Sequence, residues 1–166
     1  AKKGVALVIT VDCGITDVEE VELANTLGID VIITDHHLPQ AVLPPAYAVI
    51  NSKQEGDTYP DDQLCGAGVA FKLSQAILAR GNFAHIPAGW EKWLLDMAGL
   101  STIADMVPLK NENRMLAHFG LKVLRKTRRP GLLKLFRKAG IRQKYLNEDD
   151  ISFSITPRIN AASRMD

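Results

Sequence analysis

The 166-residue sequence is poor in cysteine and in aromatic residues, and it has no long apolar run. Its two cysteines, Cys13 and Cys65, form neither a zinc-type pair nor a disulfide framework, which favours a reducing, cytoplasmic setting. No stretch approaches the roughly 18 uncharged apolar residues of a membrane span. No signal peptide precedes the strand-like run that follows Gly4. Since no initiator methionine is present, we expect a fragment of a longer protein.

Acidic residues are absent from one long stretch. The net charge of +1 combines 6 Lys/Arg and 14 Asp/Glu in residues 1–108 with 14 Lys/Arg and 5 Asp/Glu in residues 109–166. No acid occurs between Asn113 and Asn147, where 11 basic residues lie. This asymmetry indicates a polyanionic partner. A solvated helical face explains the count equally well.

Two nearly continuous apolar, β-branched runs predict a parallel sheet. They cover Val5–Val11 and Ile29–Thr34, and each is typical of a strand buried on both faces. Between them, Thr16–Glu19 predicts a capping box that opens a helix, and Gly28 predicts its end. The three elements make a right-handed βαβ unit. Tyr47–Ile50 predicts a third short strand.

The remainder of the sequence predicts mainly helices. Predicted helices cover Gly66–Gly81, Trp90–Ile103, Glu112–Lys126 and Leu132–Ala139, and a strand is predicted over Ile151–Thr156. The expected fold class is α/β, a parallel sheet with flanking helices, followed by a mostly helical basic segment. We expect the division to lie between residues 1–108 and residues 109–166.

Metal-binding residue types follow the first two predicted strands. Asp12 ends the first strand, and Asp35, His36 and His37 end the second. Open parallel sheets bind ligands at the carboxyl ends of their strands. Carboxylate and imidazole ligands suit Mn²⁺ or a similar ion, and a pair of such ions can promote phosphodiester hydrolysis. Each residue alone also has a plain interpretation, because aspartates at strand ends commonly form caps or turns.

Asp105 is a third candidate ligand. It lies at the predicted end of a helix, where the macrodipole disfavours an acid unless a cation is near. Asp96 lacks such a context and is expected to be an ordinary surface or cap residue. Gly66 and Gly68, at a helix start, either present backbone N–H groups to a phosphate or permit a tight turn.

Together these motifs resemble those of the DHH superfamily of phosphodiesterases, in the form found in RecJ-like single-strand DNA exonucleases. Val11–Gly14 and Asp35–His37 are similar to motifs shared across the superfamily. The later segments are similar to RecJ-like proteins in particular, namely Leu64–Leu73, Ser101–Leu109, Glu112–Arg114, Arg129–Leu132 and Pro157–Met165.

This resemblance implies a role for each candidate residue. Asp12, His36 and Asp105 would bind metal, His37 would contact the scissile phosphate, and Asp35 would orient a histidine. Residues 1–108 would form a catalytic DHH domain, and residues 109–166 its basic helical continuation. Arg158, Asn160 and Arg164 would lie near the DNA path, and the basic stretch itself indicates Arg125, Arg128 and Arg129 as further nucleic-acid contacts. For the Pro157–Met165 segment, a structural turn is the alternative.

The resemblance also implies cofactors and a substrate. Two Mn²⁺ ions, which Mg²⁺ can replace, would serve 5′→3′ hydrolysis of single-stranded DNA in repair and recombination. A single-strand binding protein is a candidate partner.

The sequence departs from the family pattern at both ends. The family's first motif, an Asp-x-Asp segment, would precede Ala1, and the C-terminal substrate-binding domain is also missing, so the fragment is expected to be inactive alone. Alternatives are a nano-RNase or cyclic-dinucleotide phosphodiesterase, a non-catalytic replication or repair module, and a metal-free domain of the same fold.

Overall fold

The structure is a computed structural model, and it describes residues 3–162 and residue 164. The chain divides into two compact units, Ala1–Leu73 and Ser74–Asp166. The division expected after Pro108 lies inside the second unit and does not coincide with this boundary. Among the described helices, none is long and apolar enough to cross a membrane.

The first unit contains the predicted parallel sheet. Its strands are β1 (Leu7–Val11), β2 (Asp30–Thr34) and β3 (Ala48–Ile50), in the order β1-β2-β3. All pairs are parallel; Val11 is level with Thr34, and Thr34 is level with Ile50. The three strands therefore end together, which confirms the predicted α/β class and gives the sheet one carboxyl edge.

Helix α1 (Val18–Thr26) connects β1 to β2, and its Val21 packs with Val31 and Ile33 of β2. The capping box predicted at its start was wrong, because the N-cap residue is Asp17 and no side chain caps the helix. The predicted stop at Gly28 is confirmed. This glycine has a φ of 68°, and its N–H donates to the Asn25 carbonyl at 3.0 Å.

Strand β1 is exposed, although its apolar run predicted burial on both faces. Leu7 and Ile9 are each 47% exposed, and Val11 is 49% exposed. The strand is at the edge of the sheet and pairs only with β2 among the described residues. The prediction was wrong because an apolar run specifies a strand without specifying its place in the sheet.

The second unit is helical. Helix α2 (Gly66–Arg80) leads into it from the first unit. Next come a 3₁₀ turn (Trp90–Leu94), α3 (Leu95–Ala104), α4 (Asn111–Leu124), α5 (Pro130–Lys138), a second 3₁₀ turn (Gln143–Tyr145), a π-helical turn (Asp150–Ile155) and α6 (Thr156–Ala162). Its core combines residues from four of these elements, including Leu100, Leu124, Phe136 and Ile151.

The strand predicted over Ile151–Thr156 was wrong, because this segment is the π-helical turn followed by the start of α6. Ile151 and Ile155 are both fully buried and lie four residues apart. That spacing puts both isoleucines on one helical face. The β-branched composition of the segment suggested a strand, and tertiary packing overrides this propensity.

Candidate metal centre at the carboxyl edge of the sheet

Each of the three strands is followed directly by a polar residue: Asp12 after β1, Asp35 after β2 and Asn51 after β3. The hydrogen-bonded ladder continues through the first two. The N–H of Asp12 donates to the Thr34 carbonyl at 2.9 Å, and the N–H of Asp35 donates to the Ile50 carbonyl at 3.1 Å. The sheet therefore holds these residues side by side at one edge.

Asp12 has a left-handed backbone, with a φ of 66°. Aspartate tolerates this conformation better than most residues, although it still costs on the order of 1 kcal/mol. Its Oδ1 lies 3.0 Å from Nε2 of His36. The unusual backbone thus accompanies a carboxylate directed at a histidine of the next strand end.

Three side chains converge at this edge. Asp12, His36 and His37 each offer a ligand atom, and these atoms lie within 4.8 Å of one another. The side chain of His36 is 15% exposed, whereas that of Asp12 is 46% exposed, so the cluster is open to solvent on one side. One carboxylate oxygen and two imidazole nitrogens are a donor set that suits Mn²⁺ and similar divalent ions. The residues present therefore fit such an ion.

Asp35 is buried beside the cluster, with 1% of its surface exposed, and it contacts both histidines. Its Oδ1 lies 2.7 Å from Nδ1 of His37 and accepts the N–H of His36 at 2.7 Å, while its Oδ2 accepts the N–H of Ile15 at 3.0 Å. Burial raises the pKa of Asp35, but these hydrogen bonds together outweigh it and hold the pKa below its ordinary value. The geometry is the one that an orienting role requires, and the role stays a prediction.

Asn51 is a site residue that the sequence did not single out. It is 1% exposed; its Nδ2 donates to the His37 carbonyl at 2.9 Å, and its Oδ1 accepts the N–H of Lys53 at 2.9 Å. The first hydrogen bond holds the backbone that carries His37, and the second holds the Asn51 amide against the turn that follows it. Its position directly after the third strand was the feature of the sequence that could have identified it as a site residue.

Gly66, the first residue of α2, lies against Asp12. A Cβ built on Gly66 would be 2.2 Å from Oδ1 and 2.5 Å from Cβ of Asp12. The structure thus supplies a third reason for this glycine besides phosphate binding and a tight turn. Only glycine lets the helix start come this close to the carboxylate.

Asp105 is the C-cap residue of α3, as expected for the end of a helix, and its N–H donates to the Ser101 carbonyl at 2.9 Å. It belongs to the second unit, whereas Asp12 and His36 belong to the first. Its convergence with those two residues stays a prediction.

The candidate nucleic-acid contacts belong to the second unit, where several of the side chains already have protein partners. Nε of Arg125 donates to the Leu146 carbonyl at 2.7 Å, and Nη1 of Arg158 donates to the Ser154 carbonyl at 2.6 Å. Arg128, Asn160 and Arg164 are exposed. The last motif of the resemblance includes Ser163 and Met165, which lie outside the described residues.

Arg129 forms a two-pronged ion pair with Asp96. Its Nε lies 2.8 Å from Oδ2 of Asp96, and its Nη2 lies 3.1 Å from Oδ1. The Thr127 hydroxyl donates to the same Oδ2 at 2.8 Å, and Asp96 is 3% exposed. The hydrogen bonds to Asp96 raise the pKa of Arg129. The prediction that Asp96 is an ordinary surface or cap residue was wrong, because it is buried in this ion pair and does not cap α3.

Replacing Arg129 by lysine is expected to destabilise the protein by about 1–2 kcal/mol, because lysine keeps the charge but cannot supply the planar pair of donors. Denaturant unfolding followed by circular dichroism measures the change. The matched control is Arg128→Lys at the adjacent exposed position, with an expected change within about 0.5 kcal/mol. Equal stabilities of the two variants would contradict a structural role for the Asp96 pair.

Comparison with known proteins gives the same family from sequence and from structure. The family described as "DHH family, N-terminal domain" matches residues 3–102. The single-stranded-DNA-specific exonuclease RecJ of Bacillus subtilis is 46% identical over 165 residues, and that of Escherichia coli K12 is 41% identical over 173. Each alignment covers 99% of this chain but only 20% and 30% of the respective relatives.

Two solved structures share the fold. A crystal structure of exonuclease RecJ bound to manganese has a TM-score of 0.78 and 35% identity, covering 96% of this chain and 39% of that one. RecJ from Thermus thermophilus in complex with Mn²⁺ has the same score and identity and is 23% covered. With the family match over most of its length and the cluster at the sheet edge, the chain belongs to the DHH family, and within that family it is RecJ-like.

Proposed function

We propose that the protein to which this chain belongs hydrolyses phosphodiester bonds of single-stranded DNA with divalent metal ions, as a 5′→3′ exonuclease. The observation that carries the proposal is the cluster of Asp12, His36 and His37 at the carboxyl edge of the sheet. Its relatives named single-stranded-DNA-specific exonucleases support the substrate, and the structures bound to Mn²⁺ support the ion.

Asp12 and His36 would hold the metal, together with Asp105 as a predicted ligand from the second unit. Two Mn²⁺ or Mg²⁺ ions, when bound, supply a water of lowered pKa and positive charge near the phosphate. The chain's own contribution is to fix the donors. Asp12 is held by its ladder hydrogen bond, and the backbone of His36 by the carboxylate of Asp35.

His37 would contact the phosphate. The lowered pKa of Asp35 keeps this acid ionised at neutral pH, so Nδ1 of His37 is the donor in the 2.7 Å contact. The ring is thereby held in one orientation, with its other nitrogen directed away from Asp35. The side chain is 59% exposed, which leaves it accessible to a substrate oxygen. In this position it would offset charge that develops on the phosphoryl group.

The basic residues of the second unit would attract the DNA backbone without reading its sequence. Arg125 and Arg158 retain N–H groups besides those used within the protein, and Arg128, Asn160 and Arg164 are exposed. Arg129 is the weakest of the predicted contacts, since its charge is matched by Asp96. A single-strand binding protein as partner and a cytoplasmic location are further parts of the proposal.

Hydrolysis of end-labelled oligonucleotides tests the function. The longer protein containing this chain is expected to degrade single-stranded DNA in Mn²⁺, to release mononucleotides from the 5′ end, and to spare a blunt duplex. A series of lengths from about 2 to 40 nucleotides includes the short substrates of the alternative phosphodiesterases. Activity confined to the shortest substrates, or release from the 3′ end, would contradict the exonuclease proposal.

A further inference from the structure

An open groove of about 510 Å³ lies in the second unit, whereas the cluster of Asp12 and the two histidines belongs to the first. Trp90 and Trp93 line the groove together with Arg128, Arg129 and Pro130. The two tryptophans are 46% and 48% exposed. Adjacent exposed large apolar side chains mark a candidate interaction surface.

The local backbone puts both indoles on one side. Trp90 and Trp93 belong to the 3₁₀ turn Trp90–Leu94, which follows Gly89 with a left-handed φ of 78°. A 3₁₀ turn has three residues per turn, so positions three apart are eclipsed. The turn therefore presents two aromatic faces to the same groove.

Two arginines line the groove, Arg128 and Arg129, and only the second is known to form an ion pair within the protein. The guanidinium of Arg129 is bound to Asp96, and this pair also fixes Thr127 at the groove. Arg128 is exposed beside it. Because Arg129 matches the charge of Asp96, the groove has the net positive charge of Arg128, within a stretch of the sequence that lacks acids from 114 to 146.

We propose that this groove is a binding site for single-stranded nucleic acid, in which Trp90 and Trp93 stack on bases and Arg128 contacts a phosphate. The proposal rests on the proposed function for the identity of the polyanion. Adjacent aromatic faces beside a cation fit an unpaired strand, because its bases are free to stack on protein rings. Stacking also tolerates any base, which suits an enzyme that degrades DNA regardless of sequence.

The chain offers a direct probe, since Trp90 and Trp93 are its only tryptophans. Titration with a dT₁₂ oligonucleotide in EDTA is expected to quench tryptophan emission, and a duplex of equal length is expected to quench it much less. Trp93→Ala should weaken binding roughly tenfold, and Trp93→Tyr should restore most of it, because tyrosine also stacks. Fluorescence anisotropy of a labelled oligonucleotide measures the affinities, and circular dichroism verifies folding.

The cation is tested by charge reversal. Arg128→Glu is expected to weaken dT₁₂ binding at least about fivefold and to reduce the salt dependence by about one phosphate contact. Lys138→Glu makes the same charge change in the last turn of α5, outside the groove, and should have a smaller effect. Equal effects of the two reversals would show attraction to net charge alone and would overturn the site.

Quenching that inorganic polyphosphate or duplex DNA reproduces in full would likewise overturn base stacking. The two proposals fail in different ways, because these titrations contain no metal. Quenching by dT₁₂ without Mn²⁺-dependent hydrolysis by the longer protein would support the groove as a binding site and contradict the proposed nuclease activity. Hydrolysis by the longer protein together with unchanged dT₁₂ binding by Trp93→Ala would support the nuclease activity and contradict the binding site in the groove.

Discussion

Asp12→Ala and Gly66→Ala are each expected to weaken Mn²⁺ binding by the chain by about 10–100-fold or more, although only the first removes a ligand. A methyl group on Gly66 would be 2.5 Å from both Cβ and Cγ of Asp12. The Asp12 side chain must then leave its present position, 3.0 Å from His36. The glycine substitution thus tests whether the position of the carboxylate matters as much as its presence.

Isothermal titration calorimetry with Mn²⁺ measures the loss. The matched control is Asp30→Ala, which removes an exposed carboxylate from the opposite end of β2 and should leave Mn²⁺ binding unchanged. In Gly66→Ala the new Cβ would also be 2.5 Å from the Cβ of Asp12, which no side-chain rotation relieves, so the start of α2 or the end of β1 must shift as well. Circular dichroism of each variant verifies that it is folded before the titration. Wild-type affinity in both Asp12→Ala and Gly66→Ala would remove the metal site.

The sequence predicted that Asp12 and the histidines lie close together, because the apolar runs indicate strands and the geometry of a parallel sheet brings the strand ends to one edge. Two apolar runs joined by a helix specify neighbouring parallel strands, and their ends must then lie at one edge. The register bears this out, since Val11 is level with Thr34 and the residues after them are Asp12 and Asp35. The ligand types and their proximity could therefore be predicted without coordinates.

The supporting contacts could not be predicted in the same way. The sequence does not predict that Asp12 has a left-handed backbone or that Gly66 lies against it. Both features depend on how the start of α2 packs on the end of β1. Asn51 was missed although it follows the third strand, since asparagine is also a preferred residue in turns. Close packing decides these contacts.

Asp96 shows why the burial of a charged residue could not be predicted from the sequence. Its partner Arg129 lies 33 residues away in the sequence, and local context made the acid look like a surface or cap residue. A buried acid is costly unless it is paired, so the pairing is a property of the fold. Trp90 and Trp93 show the opposite error. Their spacing suits a buried helical face, but in the structure they lie in a 3₁₀ turn and about half of each side chain is exposed.

Gly120→Ala is expected to destabilise the second unit by about 3 kcal/mol or more. Helices α3 and α4 cross where Gly99 faces Gly120, and a Cβ on Gly120 would be 2.5 Å from Cα of Gly99 and 2.7 Å from the Leu95 carbonyl oxygen. Both obstacles are backbone atoms, so the helices must separate and disturb the core around Leu100 and Ala117.

Denaturant unfolding gives the free energy, with Gly131→Ala as the matched control. Gly131 lies in the first turn of α5 with nothing within 4 Å of its Cβ position, so alanine there should be neutral or stabilise by up to about 1 kcal/mol. The same chemical change would then have opposite signs at the two glycines. A Gly120→Ala variant as stable as Gly131→Ala would mean that the α3–α4 crossing is looser than the contact between Gly99 and Gly120 indicates.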